Sequence, residues 1–208
     1  MKILSILCAA LFLHFDINAQ GWNYNALEDI NIERNVSLDH LFKGITNTAS
    51  PMAFGIPVIL YGTGLIGKNP AMKSKALYIG STVLISSLAT TILKNTIREQ
   101  RPHTKYPDIQ NIGGGGSYSF PSGHTSDAFA LATSVSMAYP KWYIIAPSFL
   151  WASAVGYSRM YLGVHYPKDV IAGAIVGAGS ALLSAKIYKW RYCKHPSAGK
   201  AFAAAINF

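Results

Sequence analysis

Cysteine and acid are scarce in this chain. Its 208 residues include two cysteines, Cys8 and Cys193, one near each end. That excludes a disulfide framework, and no spacing of His, Cys or carboxylate reads as a metal-ligand set. Aspartate and glutamate number 9 against 18 lysines and arginines, a net charge of +9. A balance of that sign first raises nucleic-acid binding. The basic residues sit in short clusters between apolar runs and in the C-terminal tail, however, which argues for a membrane and against nucleic acid as the partner. Charged residues make up only 13% of the chain and half of it is apolar, with a mean hydropathy of +0.24. Those values leave a membrane protein with polar ends or a very apolar soluble one. The length leaves room for one domain, and there is no internal repeat.

Also absent is an uninterrupted run of about 20 apolar residues. After Lys43 there are instead five apolar stretches, near 52–67, 76–93, 126–139, 143–157 and 170–188, each containing Gly, Ser, Thr or Ala. Small residues are frequent where membrane helices pack closely; Gly173 and Gly177 form such a pair, backed by Gly179 and Ala181. Residues 1–19 have a charged start, a short apolar core and Ala19 before Gln20, the pattern of a secretory signal peptide. An uncleaved first span is the alternative, and His14 and Asp16 weigh against it.

If residue 20 starts outside, Lys68, Lys73 and Lys75 fall inside, then Lys141, then Lys186, Lys189, Arg191, Lys194 and Lys200. Every turn obeys the positive-inside rule. The expected fold is therefore all-α: a helical bundle with about five transmembrane helices after an N-terminal signal peptide. The divisions are a signal at 1–19, a surface segment at 20–51, a membrane-embedded domain at 52–190 and a basic cytoplasmic tail at 191–208. The only low-complexity segment is Gly113–Gly116, and four consecutive glycines hold no helix or strand. It reads as a flexible connector or as a mobile flap beside a site.

Three segments carry chemistry: Lys94-x6-Arg101-Pro102, Pro121-Ser122-Gly123-His124 and Ser158-Arg159-x5-His165-x3-Asp169. They combine three cations, two histidines, a hydroxyl beside a glycine, and a carboxylate four residues after a histidine. Lys94 and Arg101 are two helical turns apart and share a face, with Arg98, if their helix continues past residue 93; Pro102 marks its end. Arginine forks onto two phosphate oxygens, whereas lysine supplies a compact charge. Ser122, Gly123 and His124 precede an apolar run from about Ala128, with Thr125, Ser126 and Asp127 as capping candidates. A helix start there offers free N–H groups to an anion. Pro167 suits the first turn of the last helix, leaving His165 just outside it.

Taken together, in this order and with this internal spacing, the three segments resemble the phosphatidic acid phosphatase type 2 superfamily over roughly residues 76–188. That group also includes bacterial acid phosphatases and vanadium haloperoxidases. The stretch Tyr157–Pro167 looks more like the membrane lipid phosphatases. The resemblance implies a metal-independent phosphatase of a phosphorylated membrane lipid, without cofactor, in a bacterial cytoplasmic membrane with its site facing the periplasm or outside. Candidate substrates are lipid A, undecaprenyl diphosphate, phosphatidylglycerol phosphate and phosphatidic acid.

It also implies the roles. His165 attacks phosphorus, Asp169 orients its ring, and His124 protonates the leaving oxygen. Lys94, Arg101, Ser122, Gly123 and Arg159 bind the phosphate. The chemistry agrees: an imidazole needs one bare nitrogen to attack, and a carboxylate on the other N–H fixes the tautomer. In this scheme His165 starts neutral and His124 starts charged. Lys168 stands where many relatives carry a small polar residue and is read as tuning substrate choice; with Arg98 and Lys105 it hints at a multiply charged headgroup. A soluble periplasmic acid phosphatase, a vanadate-dependent oxidoreductase and a non-enzymatic multispan protein are the alternatives.

Overall fold

The computed structural model describes the backbone of residues 21–194 and side chains to residue 190. The signal read at 1–19, and most of the tail at 191–208, lie outside the described residues. Among those described there are only helices: α1 over 21–31, a 3-10 turn at Val36–Leu38, α2 (Asp39–Asn47), α3 (Ala49–Ile66), α4 (Pro70–Ile97), α5 (Pro102–Lys105), α6 (Gly123–Ala138), α7 (Trp142–Tyr161) and α8 (Pro167–Lys194). Each of the five apolar stretches forms a helix. The boundary drawn at 51/52 falls inside α3.

Local chemistry sets the helix limits. Asn69 caps α4, its side chain accepting the Met72 N–H at 3.0 Å ahead of Pro70. At the other end Arg98 takes a left-handed conformation and its N–H closes on the Lys94 carbonyl. Helix α4 thus stops at Ile97, and Arg101 is the N-cap of α5 rather than a member of the Lys94 face. Pro102 opens α5 instead of ending α4.

Helix α6 occupies the centre, packed against α3, α4, α7 and α8. Its buried side chains are small: alanines, serines, threonine and Leu131. A helix surrounded by protein has no lipid-facing side to make apolar, which explains why its sequence reads weakly as a span. Glycines of α8 bring it into backbone contact with α6. A Cβ on Gly177 would lie 2.3 Å from the Ser126 carbonyl oxygen, and one on Gly173 2.7 Å from that of Ser122. Gly179, by contrast, faces open space.

Outward, α4 presents Leu84, Leu88 and Ile92, each more than half exposed; α3 presents Val58, Ile59 and Ile66, and α8 presents Ile171, Ile175 and Leu182. On α4 the i, i+4 spacing makes a continuous apolar stripe, and the three helices together expose an apolar surface of the kind that lipid covers. The spans Val36–Ile66, Pro70–Lys105 and Pro167–Trp190 are long and apolar enough to cross a bilayer. Helix α6, at 16 residues, is short of that length, and α7, at 20, is not among these three spans. This is a membrane protein.

Its two ends differ. The α3–α4 and α6–α7 turns share one end, where Lys75 sits 4.1 Å over the Tyr139 ring. The three sequence segments meet at the other.

Candidate active site

Four helix ends build the site. Lys94 lies in the last turn of α4 and Arg159 in the last turn of α7, while Ser122–His124 open α6 and Asp169 lies in the first turn of α8. His165 sits in the α7–α8 connection, just before Pro167.

Asp169 holds this corner. Its Oδ2 accepts the Tyr166 N–H at 3.0 Å, the reciprocal bond of a capping box. The same oxygen accepts the Ser119 hydroxyl and stands 3.3 Å from His165 Nδ1. All three side chains are buried. On the opposite ring nitrogen, Nε2, an N–H of Arg101 approaches to 3.4 Å. A carboxylate on one side and a guanidinium on the other leave one consistent tautomer: Nδ1 carries the proton and Nε2 the lone pair.

Protein oxygens hold the cations in place. Arg101 donates from Nε to the Ser117 carbonyl at 2.7 Å and from its terminal nitrogen to that of Val164 at 2.8 Å. Gly115 lies flat on the guanidinium, where a Cβ would come within 2.8 Å of Cζ. The glycine-rich segment is therefore packed beside the site. Lys94 Nζ donates to the carbonyls of Tyr118 and Ser119, at 2.6 and 3.3 Å. Arg159, buried in α7, donates to Thr46 Oγ1 of α2 at 2.7 Å, and its Nε has no partner among the described residues.

Helix α6 begins at Gly123, five residues ahead of Ala128, because Ser122 takes the extended N-cap conformation. Thr125, Ser126 and Asp127 are thus inside the helix. Thr125 donates to Ser122 Oγ at 2.9 Å, which leaves the Ser122 proton free to donate onward. Ser126 meets Ser86 and Thr90 of α4, and Asp127 accepts from Ser87. The first-turn N–H groups of Gly123, His124 and Thr125 lack intrahelical acceptors.

Burial, then the charges of Arg159, Arg101 and Lys94, lower His124 to about 4. The same causes in the same order push His165 well below the usual imidazole value. The three cations therefore act on both rings, and burial together with these charges favours the neutral form of each. For His124 this differs from the charged starting state expected from the sequence. Three cations around one imidazole oppose a fourth charge unless an anion sits among them.

Of the extra cations, Lys168 is paired with Glu99 and Arg98 turns back to the Asn95 carbonyl. Several contributors had no signal in the sequence. Thr46 and Ser119 lie far along the chain from Arg159 and Asp169. Asn31, fully buried, accepts from Gln110 N and donates to the carbonyls of Gln110 and Tyr161. It ties the loop after α5 to the end of α7. The 20–51 segment is thus a support for the site.

A polytopic helical protein that gathers two neutral histidines, three cations and a helix start at one end of its bundle is defined by that cluster. The chain belongs to the PAP2 superfamily, whose family model matches residues 75–193. It is 38% identical over 88 residues to the lipid A 4'-phosphatase of Bacteroides thetaiotaomicron (41% of this chain, 39% of that one) and 29% identical over 150 residues to the lipid A 1-phosphatase of Rhizobium etli (64% and 63%). The chain therefore spans between about two-fifths and just under two-thirds of the length of these relatives. Among solved structures it is similar to Aquifex aeolicus LpxE, with a TM-score of 0.66 and 30% identity over 79% of this chain and 95% of that one. It is also similar to the transmembrane PAP2-type phosphatidylglycerolphosphate phosphatase of Bacillus subtilis, with a TM-score of 0.68 and 25% identity over 88% and 96%.

Proposed function

We propose that this protein is a metal-independent phosphatase of a phosphorylated membrane lipid, working through a phosphohistidine. The observation that carries the reading is the placement of the His165 ring, with the Asp169 carboxylate on Nδ1 and the Arg101 guanidinium on Nε2, which leaves Nε2 the nucleophilic nitrogen. In the first step Nε2 bonds to phosphorus as the bond to the leaving oxygen breaks, and His124 gives that oxygen its proton. Lys94, Arg101, Arg159 and the start of α6 stabilise the charge on the remaining phosphoryl oxygens. Asp169 stabilises the cation growing on the ring. In the second step His124 takes a proton from water, whose oxygen displaces His165 and releases phosphate. The clustering of Lys68, Lys73, Lys75 and Lys141 at the far end supports an outward, periplasmic site in a bacterial cytoplasmic membrane. The relatives named for lipid A support a lipid substrate.

The test is phosphate release in detergent micelles containing EDTA, from lipid A, undecaprenyl diphosphate, phosphatidylglycerol phosphate, phosphatidic acid and a soluble phosphomonoester. Release from a lipid, well above the soluble ester, is expected; no release from any of them contradicts the reading.

The lowered His124 pKa gives a signed prediction. An oxyanion among the three cations favours the protonated ring, so binding takes up a proton wherever the pH lies between about 4 and the raised value in the complex. Sulfate, which keeps its charge across this range, is expected to bind more weakly as pH rises. Calorimetry at pH 6 in two buffers of different ionisation enthalpy is expected to show uptake of about one proton, lost in His124→Ala. Absence of uptake in the unaltered protein would contradict the assignment.

Thr46→Val removes the hydroxyl that anchors Arg159 at little change in shape. A hydrogen bond to a charged group contributes about 1.5–3 kcal/mol, so kcat/KM is expected to fall about tenfold or more. Thr46→Ser is expected to restore most of it, whereas a role in packing alone would make serine the worse replacement.

A further inference from the structure

Beyond Arg101, away from His165, lies an open groove of about 480 Å³, lined by Glu99, Gln100, Arg101, His103, Thr104 and Tyr118 and bounded by the glycine-rich segment. That volume is within the ~300–1,000 Å³ of small-molecule sites. One guanidinium separates it from the nucleophile: Arg101 reaches to 3.4 Å from His165 Nε2 and also forms the groove wall. Tyr118 joins it to the second cation, since its carbonyl accepts Lys94 Nζ. A group attached to the reacting phosphate has this groove within reach.

Its chemistry narrows what that group is. No aliphatic side chain lines it, so an acyl chain finds no Leu, Ile or Val to pack against. A second phosphate finds little free charge. Arg101 gives two N–H groups to carbonyls and turns the rest of its guanidinium to the reacting phosphate, Lys168 is neutralised by Glu99, Arg98 turns away to Asn95, and Lys105 lies over the Tyr106 ring. What the lining does offer is an alternation of donors and acceptors: the Gln100 amide, the Thr104 hydroxyl, the His103 imidazole, the Glu99 carboxylate and the tyrosine hydroxyl. That set fits an uncharged group with several hydroxyls.

We propose that the groove is a subsite for a sugar carrying the reacting phosphate, so that the substrate is a glycosyl phosphomonoester lipid rather than a lipid diphosphate. This rests on the phosphatase reading above and selects among its substrates. The test pairs binding with turnover. Calorimetry would compare a soluble hexosamine 1-phosphate with glycerol 3-phosphate, on the unaltered protein and on Gln100→Leu/Thr104→Val. The hexosamine phosphate is expected to bind about tenfold more tightly, and the preference to collapse to near one in the double variant. In micelles, kcat/KM for a phosphorylated glucosamine lipid is expected to exceed that for undecaprenyl diphosphate by a similar factor, and this ratio too is expected to fall in the variant. Equal binding of the two soluble phosphates, a higher kcat/KM for the diphosphate, or a preference that survives in the variant would overturn the proposal. Phosphate release from lipids with no sugar preference sinks the subsite alone. A sugar preference in binding with no release from any lipid sinks the phosphatase reading and leaves the subsite standing.

Discussion

Substituting His165 by alanine is expected to lower lipid phosphate release by roughly ten-thousand-fold or more, the scale on which enzymes lose activity when a covalent nucleophile is removed. The ring cannot be replaced from nearby. His124 is held by α6 on the leaving-group side of the proposed reaction, and Ser122 already accepts from Thr125. Sulfate affinity is expected to persist in this variant, because Lys94, Arg101, Arg159 and the start of α6 remain. Arg101 keeps its two carbonyl partners without the histidine. Activity lost with binding retained places His165 in the bond-making step. Loss of both would mean that the ring supports the site rather than reacting in it. The pair of measurements is a phosphate-release assay and a sulfate titration on the same preparation.

The second large effect lies at the α6–α8 contact. A valine at Gly177 would push its Cβ to 2.3 Å from the Ser126 carbonyl and 2.7 Å from the Ala130 nitrogen, both backbone atoms. Neither helix can yield locally, so α8 must shift away from α6. Helix α8 carries Asp169, and α6 carries Ser122 and His124, so the displacement reaches both halves of the site. Gly177→Val is expected to destabilise the protein by about 3 kcal/mol, the upper part of the overpacking range, and to reduce activity with it. Gly179→Ala is the matched control. No atom lies within 4 Å of its Cβ, and an alanine in a helix interior is favoured over glycine by up to about 1 kcal/mol. Unfolding in detergent, followed by heat or denaturant, separates the two. Equal stability of the two variants would contradict close backbone packing of α6 on α8.

Much of this architecture was legible in the residues. The apolar stretches became helices, and the Gly173/Gly177 pair proved to be a close-packing seam because a four-residue spacing puts both on one face. Gly179, two residues on, turns away from that face. The motifs met at one end because α4 and α7 end there while α6 and α8 begin there, an alternation that short antiparallel connections impose. A local conformation overrides the sequence pattern at two places. Lys94 and Arg101 looked like one helical face, but the left-handed turn at Arg98 broke the helix between them. The apolar run begins near Ala128, which points to Thr125, Ser126 or Asp127 as the cap, whereas the chain turns helical at Gly123 through an N-cap, Ser122, with no side-chain bond to the backbone. Ser119, Thr46 and Asn31 were invisible for a different reason. Each acts through one hydrogen bond or a few to residues distant in the chain, and no spacing encodes such a contact.

A phosphohistidine at His165 can be trapped directly. Protein in EDTA is mixed with a lipid substrate labelled in its terminal phosphate, quenched in alkaline detergent within the first turnover, and digested. Label is expected on the peptide containing His165, stable to alkali, lost in acid and absent from His165→Ala. Label on Ser122, or turnover with no protein-bound phosphate at any quench time, would contradict a phosphohistidine intermediate.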